Sequence, residues 1–303
     1  MGVPNVQPLN YEELFMDQTL QPAAPAPFRL IMGETDIFAF SDGTLSAPVG
    51  NLYRLESSEP TPERFPEAPT ELSVNVFLVK SAGRLVLIDT GSGALFGPDH
   101  GKLRDGLAAL AIQPEAIGDI ILTHIHADHS GGLMIDGKQV FPNATLHLGR
   151  TEADFWLSPG AADAPNATER LKGQIARAHA MIDPYQNAGQ VKLFADEGEI
   201  IPGFSASLRA GHTPGHLTIF YKEGHDTIAF VGDIVHGDTV QFKNPAVTID
   251  FDYDQKNAAH SRAICFAEAA DQGFTIAGVH IPFPGLGKVT REGDGYRFEP
   301  VNR

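Results

Sequence analysis

The 303-residue chain has one cysteine, Cys265, and one tryptophan, Trp156. A single thiol excludes an intramolecular disulfide and any cysteine-rich zinc site. Cys265 lies in the apolar run AICFAEAA, of helical character, so a buried structural thiol is expected rather than a nucleophile. Basic side chains are also scarce: 22 Lys and Arg stand against 38 Asp and Glu, a net charge of −16. Such a surface repels phosphate backbones and anionic lipid, so neither nucleic acid nor a membrane is an expected partner. No apolar stretch approaches the ~18 residues of a membrane-crossing helix. The opening MGVPNVQPLNYEELFMDQTL lacks a basic region followed by an apolar run, so no signal peptide is read and a cytoplasmic location is expected. A leader removed ahead of Met1-Gly2 would instead make the protein periplasmic or secreted. The GxSxG nucleophile motif is missing too.

What the chain does have is histidine, 12 residues in all, set among short β-rich runs. Residues 1–27 read as an extended arm whose Tyr11, Leu14, Phe15 and Met16 could dock on a second subunit. FRLIMGETDIFAFS reads as two strands around a turn. The proline-bearing segment 42–72 reads as irregular, a lid or a dimer contact. From Val74, strand runs (VNVFLVK, RLVLIDTG, TLHLG, VKLF, ASLRAGH, HLTIFYK, TIAFVGD, FTIAGVHIPFPGLG) alternate with helical segments. These include KLRDGLAALAI, TEADFWLS with Thr151 as N-cap, residues 168–182 and residues 254–272. The expected architecture is α/β: two mixed sheets packed face to face with outer helices, one domain over 28–303.

THIHADHSGG carries His124, His126, Asp128 and His129. A His-x-His-x-Asp-His pattern arises by chance in about one in a thousand chains of this length and composition. Alternate residues at a strand end point the same way, so His124 and His126 can grip one ion. The chain then turns at Gly131 and Gly132, and Asp128 and His129 face a neighbouring position. His212 (AGHTPGH), Asp233 (VGDIVHG) and His280 (GVHIPFPG) each fall at the end of an expected core strand, where α/β scaffolds gather site residues. Five His and two Asp, split into two sets sharing one carboxylate, suit two metal ions about 3.5–4 Å apart. Imidazole with carboxylate favours zinc, with iron, cobalt or manganese as alternatives.

Across nearly all of residues 28–303 the sequence resembles the metallo-β-lactamase superfamily, and within it the methyl parathion hydrolase and lactonase branch. The resemblance is carried by the ligand series and by GALFGPDHG, GGLMIDG, EADFWLS, GHTPGH, VQFKNP, IPFPGLG and EGDGYRFEPV. It implies an αβ/βα sandwich. It also implies one metal on His124, His126 and His212, a second on Asp128, His129 and His280, and Asp233 as the bridge. Asp89 of LIDTG would orient a ligand imidazole. Hydroxide bridging the metals would attack a polarised carbonyl or phosphoryl centre, with Asp128 passing a proton to the leaving group.

Phe96, Trp156, His236 and Phe251 are the pocket residues this resemblance implies, a lining suited to a small uncharged aromatic or lactone substrate. The parathion-hydrolysing pattern has an apolar residue where His236 stands and an aromatic one near Gln174. The expected activity is therefore that of a lactonase or arylesterase, with weaker organophosphate hydrolysis. A methyl parathion hydrolase-type organophosphatase and an acyl-homoserine lactonase are the alternatives. A ligand Cys replaces Asp233 in class B1 and B2 β-lactamases. Glyoxalase II and RNase Z need basic residues for anionic substrates. A non-catalytic scaffold is disfavoured because all seven ligand positions are filled. A homodimer through the arm and the 42–72 segment is expected.

Overall fold

Residues 25–55, 65–163 and 167–301 are described by a computed structural model. The first strands are β1 (Phe28–Met32), β2 (Thr35–Ser46), β3 (Tyr53–Arg54), β4 (Glu71–Ser81), β5 (Arg84–Ile88) and β6 (Asp119–Ile121). Next come β7 (Met134–Ile135), β8 (Lys138–Gln139), β9 (Thr145–Gly149) and β10 (Val191–Phe194). The second half holds β11 (Gly198–Ile201), β12 (Phe204–Leu208), β13 (Leu217–Glu223), β14 (Asp226–His236), β15 (Thr248–Ile249), β16 (Thr275–His280), β17 (Leu286–Glu292) and β18 (Gly295–Pro300). Two seven-stranded mixed sheets result, in the orders β1-β2-β4-β5-β6-β9-β10 and β11-β12-β13-β14-β16-β17-β18.

Period-two side-chain alternation decides which face meets which layer. Ile37 and Ala39 of β2, and Phe77 and Val79 of β4, join a core shared with Phe204, Ile219, Phe230 and Val279 of the other sheet. Phe77 and Phe230 meet there with ring centroids 5.5 Å apart. The intervening Phe38, Phe40, Val76 and Leu78 face outward, against Leu103 and Leu107 of the helix Leu103–Ala109. The second sheet's outer face packs Val231, Val235 and Ile276 against Cys265 and Phe266 of the helix Gln255–Gln272. The central strands β2, β4, β14 and β16 are thus covered on both faces, the expected helix–sheet–sheet–helix sandwich. Burial pushes the Cys265 thiol up to about 12, in keeping with the structural role read for it.

Three local expectations need correction. The stretch 42–72 is not irregular over its described residues: β2 runs through Asp42 to Ser46, a helical turn spans Val49–Leu52, and β3 pairs with β15. Val49, Leu52 and Tyr53 are fully buried. The turn formers Ser41-Asp42-Gly43 mislead because a register shift between Ser41 and Gly43 absorbs them within the strand. Residues 56–64, and the arm's Tyr11, Leu14, Phe15 and Met16, lie outside the described residues. Thr151 is not an N-cap: the cap of helix Arg150–Trp156 is Gly149, and Thr151 Oγ1 donates to Asp196 Oδ2 at 2.6 Å. Asp233 stands inside β14 rather than at its end, since that strand continues to His236.

Candidate metal centre

β6 stops at Ile121, and the next residues are extended without being strand. His124 and His126 therefore sit beyond the strand end and present different nitrogens: His124 Nε2 lies 3.0 Å from His126 Nδ1. A short helical turn, Ala127–Ser130, then carries Asp128 and His129. Gly131 and Gly132 are required by close approach rather than by unusual dihedrals. A Cβ on Gly132 would lie 2.0 Å from Thr90 O, and one on Gly131 2.3 Å from Ser92 O. The turn is thereby pressed against the loop that follows β5.

The second sheet brings the remaining donors to the same place. His212 Nε2, on the loop after β12, lies 3.0 Å from His126 Nδ1 and 3.1 Å from Asp233 Oδ2. His280, at the end of β16, sets Nε2 3.3 Å from both Asp128 Oδ2 and Asp233 Oδ2. Asp233 Oδ1 turns the other way, 3.0 Å from His129 Nε2. All seven expected residues converge. Candidate ligand atoms of His124, His126, His212 and Asp233 lie within 4.8 Å of one another, as do those of Asp128, His129 and His280.

Whether these donors fit cations follows from their hydrogen bonding. His129 Nε2 and Asp233 Oδ1 are buried, face each other at 3.0 Å, and have no other hydrogen-bond partner. Buried polar atoms without partners are costly unless something else satisfies them. Ligand atoms around a tetrahedral zinc ion lie about 3.3 Å apart, and the spacings of 3.0–3.3 Å here match that edge. The donor set fits two divalent cations sharing Asp233.

The far sides of the imidazoles are fixed by other groups. Asp89, at φ +60°, accepts from Thr123 N at 2.8 Å and from Thr123 Oγ1 at 2.9 Å, and its Oδ2 pairs with His129 Nδ1 at 2.8 Å. That is the orienting contact read for it. His280 Nδ1 donates to Ser73 O at 2.8 Å. Asp252, absent from the sequence reading, holds His212 Nδ1 at 3.0 Å and lies 3.7 Å from the fully buried Arg262. His216 was missed as well: its Nε2 accepts from Asp233 N at 3.0 Å. Both hide because their partners are distant in sequence, although the second His of GHTPGH is a weak local signal.

Burial disfavours the charged form of every histidine here, and the carboxylates oppose it. For His129 burial is outweighed by Asp233, Asp89 and Asp128, and its pKa rises well above the ordinary value. Burial is likewise outweighed by Asp233 at His212, raised to about 9, and at His280, raised to about 10. His124 and His126 lack enough such support, and burial together with neighbouring imidazoles lowers both. Asp233 is itself depressed: burial is overcome by His280, His129 and His212.

The expected pocket residues divide. His236 pairs in register with His280 across β14 and β16, and their rings stack at 5.0 Å. Phe251 lies 6.0 Å from His236, and the half-buried Phe96 packs edge-on to His100 at 5.9 Å. Trp156 is the inward member of the Phe155–Trp156 pair. It is 2% exposed and donates Nε1 to Glu152, so it backs His126 at 5.5 Å rather than opening to solvent. An indole N–H needs a buried acceptor, and Glu152 supplies one. Phe155 takes the outer position, against the exposed Tyr253.

Comparison with known proteins agrees with this picture. The family model of the metallo-beta-lactamase superfamily matches residues 69–265. A solved structure described as hydrolase AbOPH in the beta lactamase superfamily superposes with a TM-score of 0.84 at 35% identity, covering 92% of this chain and 98% of that one. AidC, a dizinc quorum-quenching lactonase in complex with a product, gives 0.80 at 26% identity over the same shares. The acyl-coenzyme A thioesterase MBLAC2 of Gallus gallus is 29% identical over 189 residues, 57% of this chain and 61% of that protein. The chain thus spans about three-fifths of the length of that curated relative. With more than half of its residues matched and its buried donors converging across two sheets, the chain belongs to the metallo-beta-lactamase superfamily.

Proposed function

We propose that the protein is a dinuclear, zinc-favouring hydrolase that opens lactones or cleaves aryl esters, with organophosphate triester hydrolysis as a weaker side activity. The observation that carries this reading is the convergence of two largely buried donor sets, His124, His126 and His212 with Asp233, and Asp128, His129 and His280, from both sheets. Two divalent cations held there would supply Lewis-acid chemistry and a water acidified toward neutrality. His124, His126 and His212 would hold one, Asp128, His129 and His280 the other, and Asp233 both.

Protein groups supply the rest. His236 is buried, its Nδ1 makes no hydrogen bond, and its Nε2 lies 3.4 Å from Asp233 Oδ2. Burial outweighs Asp233 and brings it down to about 4, so at neutral pH it is an uncharged imidazole with one N–H to give. Such a donor stabilises charge growing on a carbonyl oxygen, an effect worth about 10²–10³ in rate where it operates. Asp128 is kept ionised because burial is overcome by His129 and His280, and as a carboxylate it can take a proton and return it to the leaving oxygen. Phe96 and Phe251 give flat apolar contact for a ring. A polar wall of this kind suits a carbonyl better than a bulky thiophosphate.

The likeness to an acyl-coenzyme A thioesterase brings in a second reading, an acyl thioester as substrate. It shares the carbonyl chemistry, but a net charge of −16 opposes a coenzyme with several phosphates. Measuring kcat/KM for dihydrocoumarin, phenyl acetate, methyl parathion and an acyl-coenzyme A separates these readings. The lactone and ester are expected to lead; a large preference for the phosphotriester or the thioester overturns the assignment. We also propose a homodimer formed by the N-terminal arm and the 42–72 segment, which a monomeric mass in light scattering would refute.

A further inference from the structure

The helix Arg150–Trp156 supplies none of the seven donors, yet it holds a buried carboxylate beside three of them. Glu152 is 2% exposed. Its Oε1 accepts from Ile125 N at 2.8 Å and from Trp156 Nε1 at 2.7 Å. Its Oε2 accepts from Thr213 Oγ1 at 2.7 Å and from Gly215 N at 3.0 Å. Ile125 stands between His124 and His126, and Thr213 directly follows His212. One carboxylate therefore ties the segment of two donors to the segment of the third. The two segments are more than 80 residues apart in sequence, as the His126–His212 contact records.

The contact is built into the backbone as well. A Cβ on Gly215 would lie 2.1 Å from Glu152 N and 2.5 Å from Glu152 Cα, so only glycine lets the loop reach the helix. His126 presents Nδ1, the nitrogen nearer its own backbone. A donor on so short a lever follows its main chain closely, and Ile125 N is the adjoining anchor.

We propose that Glu152 is a positioning residue that sets the aperture of the His124, His126 and His212 donor set by clamping its two segments together. The inference rests on the metal-centre reading above. Charge-assisted hydrogen bonds in a water-excluded site are short and strongly directional, which suits a clamp. The same helix end is also held by a separate contact one residue earlier, Thr151 Oγ1 to Asp196 Oδ2, so docking of the helix can be weakened without touching the carboxylate.

Trp156, the only tryptophan, lies 5.5 Å from the His126 ring. Cobalt(II) bound beside it should quench its emission, which makes occupancy of this donor set directly readable. Glu152→Gln keeps the shape but turns one acceptor into a donor facing two other donors. It is expected to raise the cobalt concentration for half-quenching about tenfold or more, and to leave about one metal per chain after dialysis. Thr213→Val, which keeps the carboxylate and removes one donor, should give a smaller shift in the same direction. Thr151→Ala should lower the melting temperature of the metal-free protein while leaving the quenching curve unmoved. Quenching curves for Glu152→Gln and Thr213→Val that superimpose on the wild type, with only stability lowered, would overturn the clamp. A wild-type protein that takes up no cobalt would overturn the clamp and the metal centre together; wild-type uptake with unaltered variants sinks the clamp alone.

Discussion

The two sheets reach the metal centre in different ways. The first contributes His124, His126, Asp128 and His129 within six residues of one turn, held by polar contacts to Asp89, Thr90 and Glu152. The second contributes His212 from a loop, Asp233 from the middle of β14 and His280 from the end of β16. Core packing holds the two strand residues: Val231, Val235 and Ile276 are fully buried around them. A turn fixed by hydrogen bonds can be loosened by removing one acceptor. Donors on core strands move only if the sandwich itself repacks. The seam is Asp233, whose Oδ1 lies 3.0 Å from His129 and whose Oδ2 lies 3.1 Å from His212 and 3.3 Å from His280, so it meets both donor sets.

Removing the seam should have the largest effect. Asp233→Ala is expected to cost at least about a thousandfold in kcat/KM on the best ester substrate, because it disturbs both donor sets at once. A loss of tenfold or less would mean that the two halves act independently. Proton release on metal uptake, which involves both sets, comes next. Without cations, His129, His212 and His280 hold protons at neutral pH, and a ligand imidazole must lose its proton to bind. Metal affinity should therefore climb as pH rises toward 9, and uptake should release protons. Calorimetry in buffers of differing ionisation enthalpy reads this directly, and a pH-independent affinity between 6 and 9 would count against it.

Smaller effects test each half alone. Asp252→Asn should weaken metal held by His212 about 10–100-fold, and Asp89→Asn should do the same for metal held by His129. Chelator competition on each variant should find one ion loosened and the other retained. Loss of both in either variant would erase the distinction between the halves. His236→Leu should shift the ratio of ester to phosphotriester kcat/KM by about tenfold toward the phosphotriester. An unchanged ratio removes His236 from substrate choice. Smallest of all, Cys265 at pH 8 should resist a thiol reagent in the native protein and react once unfolded, since its thiol is pushed up to about 12.

How legible each half is in sequence follows from the same contrast. The turn is local, so four donors in a six-residue pattern announce themselves. The strand donors are single residues, readable only because His212, Asp233 and His280 terminate apolar runs and match a known ligand series. Asp252 carries no pattern of its own, and the motifs GHTPGH and EADFWLS contain His216 and Glu152 without assigning them a role. Their significance lies in contacts with His212, Asp233 and Ile125 that only the folded chain creates. The sandwich was readable from strand runs that alternate with helical segments from Val74 onward. Asp42 and Gly43 were misread because a bulge lets turn formers continue a strand. Thr151 was misread because the carboxylate that binds it, Asp196, arrives from beyond β10.

The account turns on two cations held by donors from both sheets. Elemental analysis after zinc reconstitution and gel filtration, paired with ester hydrolysis during stepwise chelation, tests this most directly. Two divalent ions per chain are expected, with activity lost as they are withdrawn. A chain that keeps full activity with less than one ion bound would contradict it.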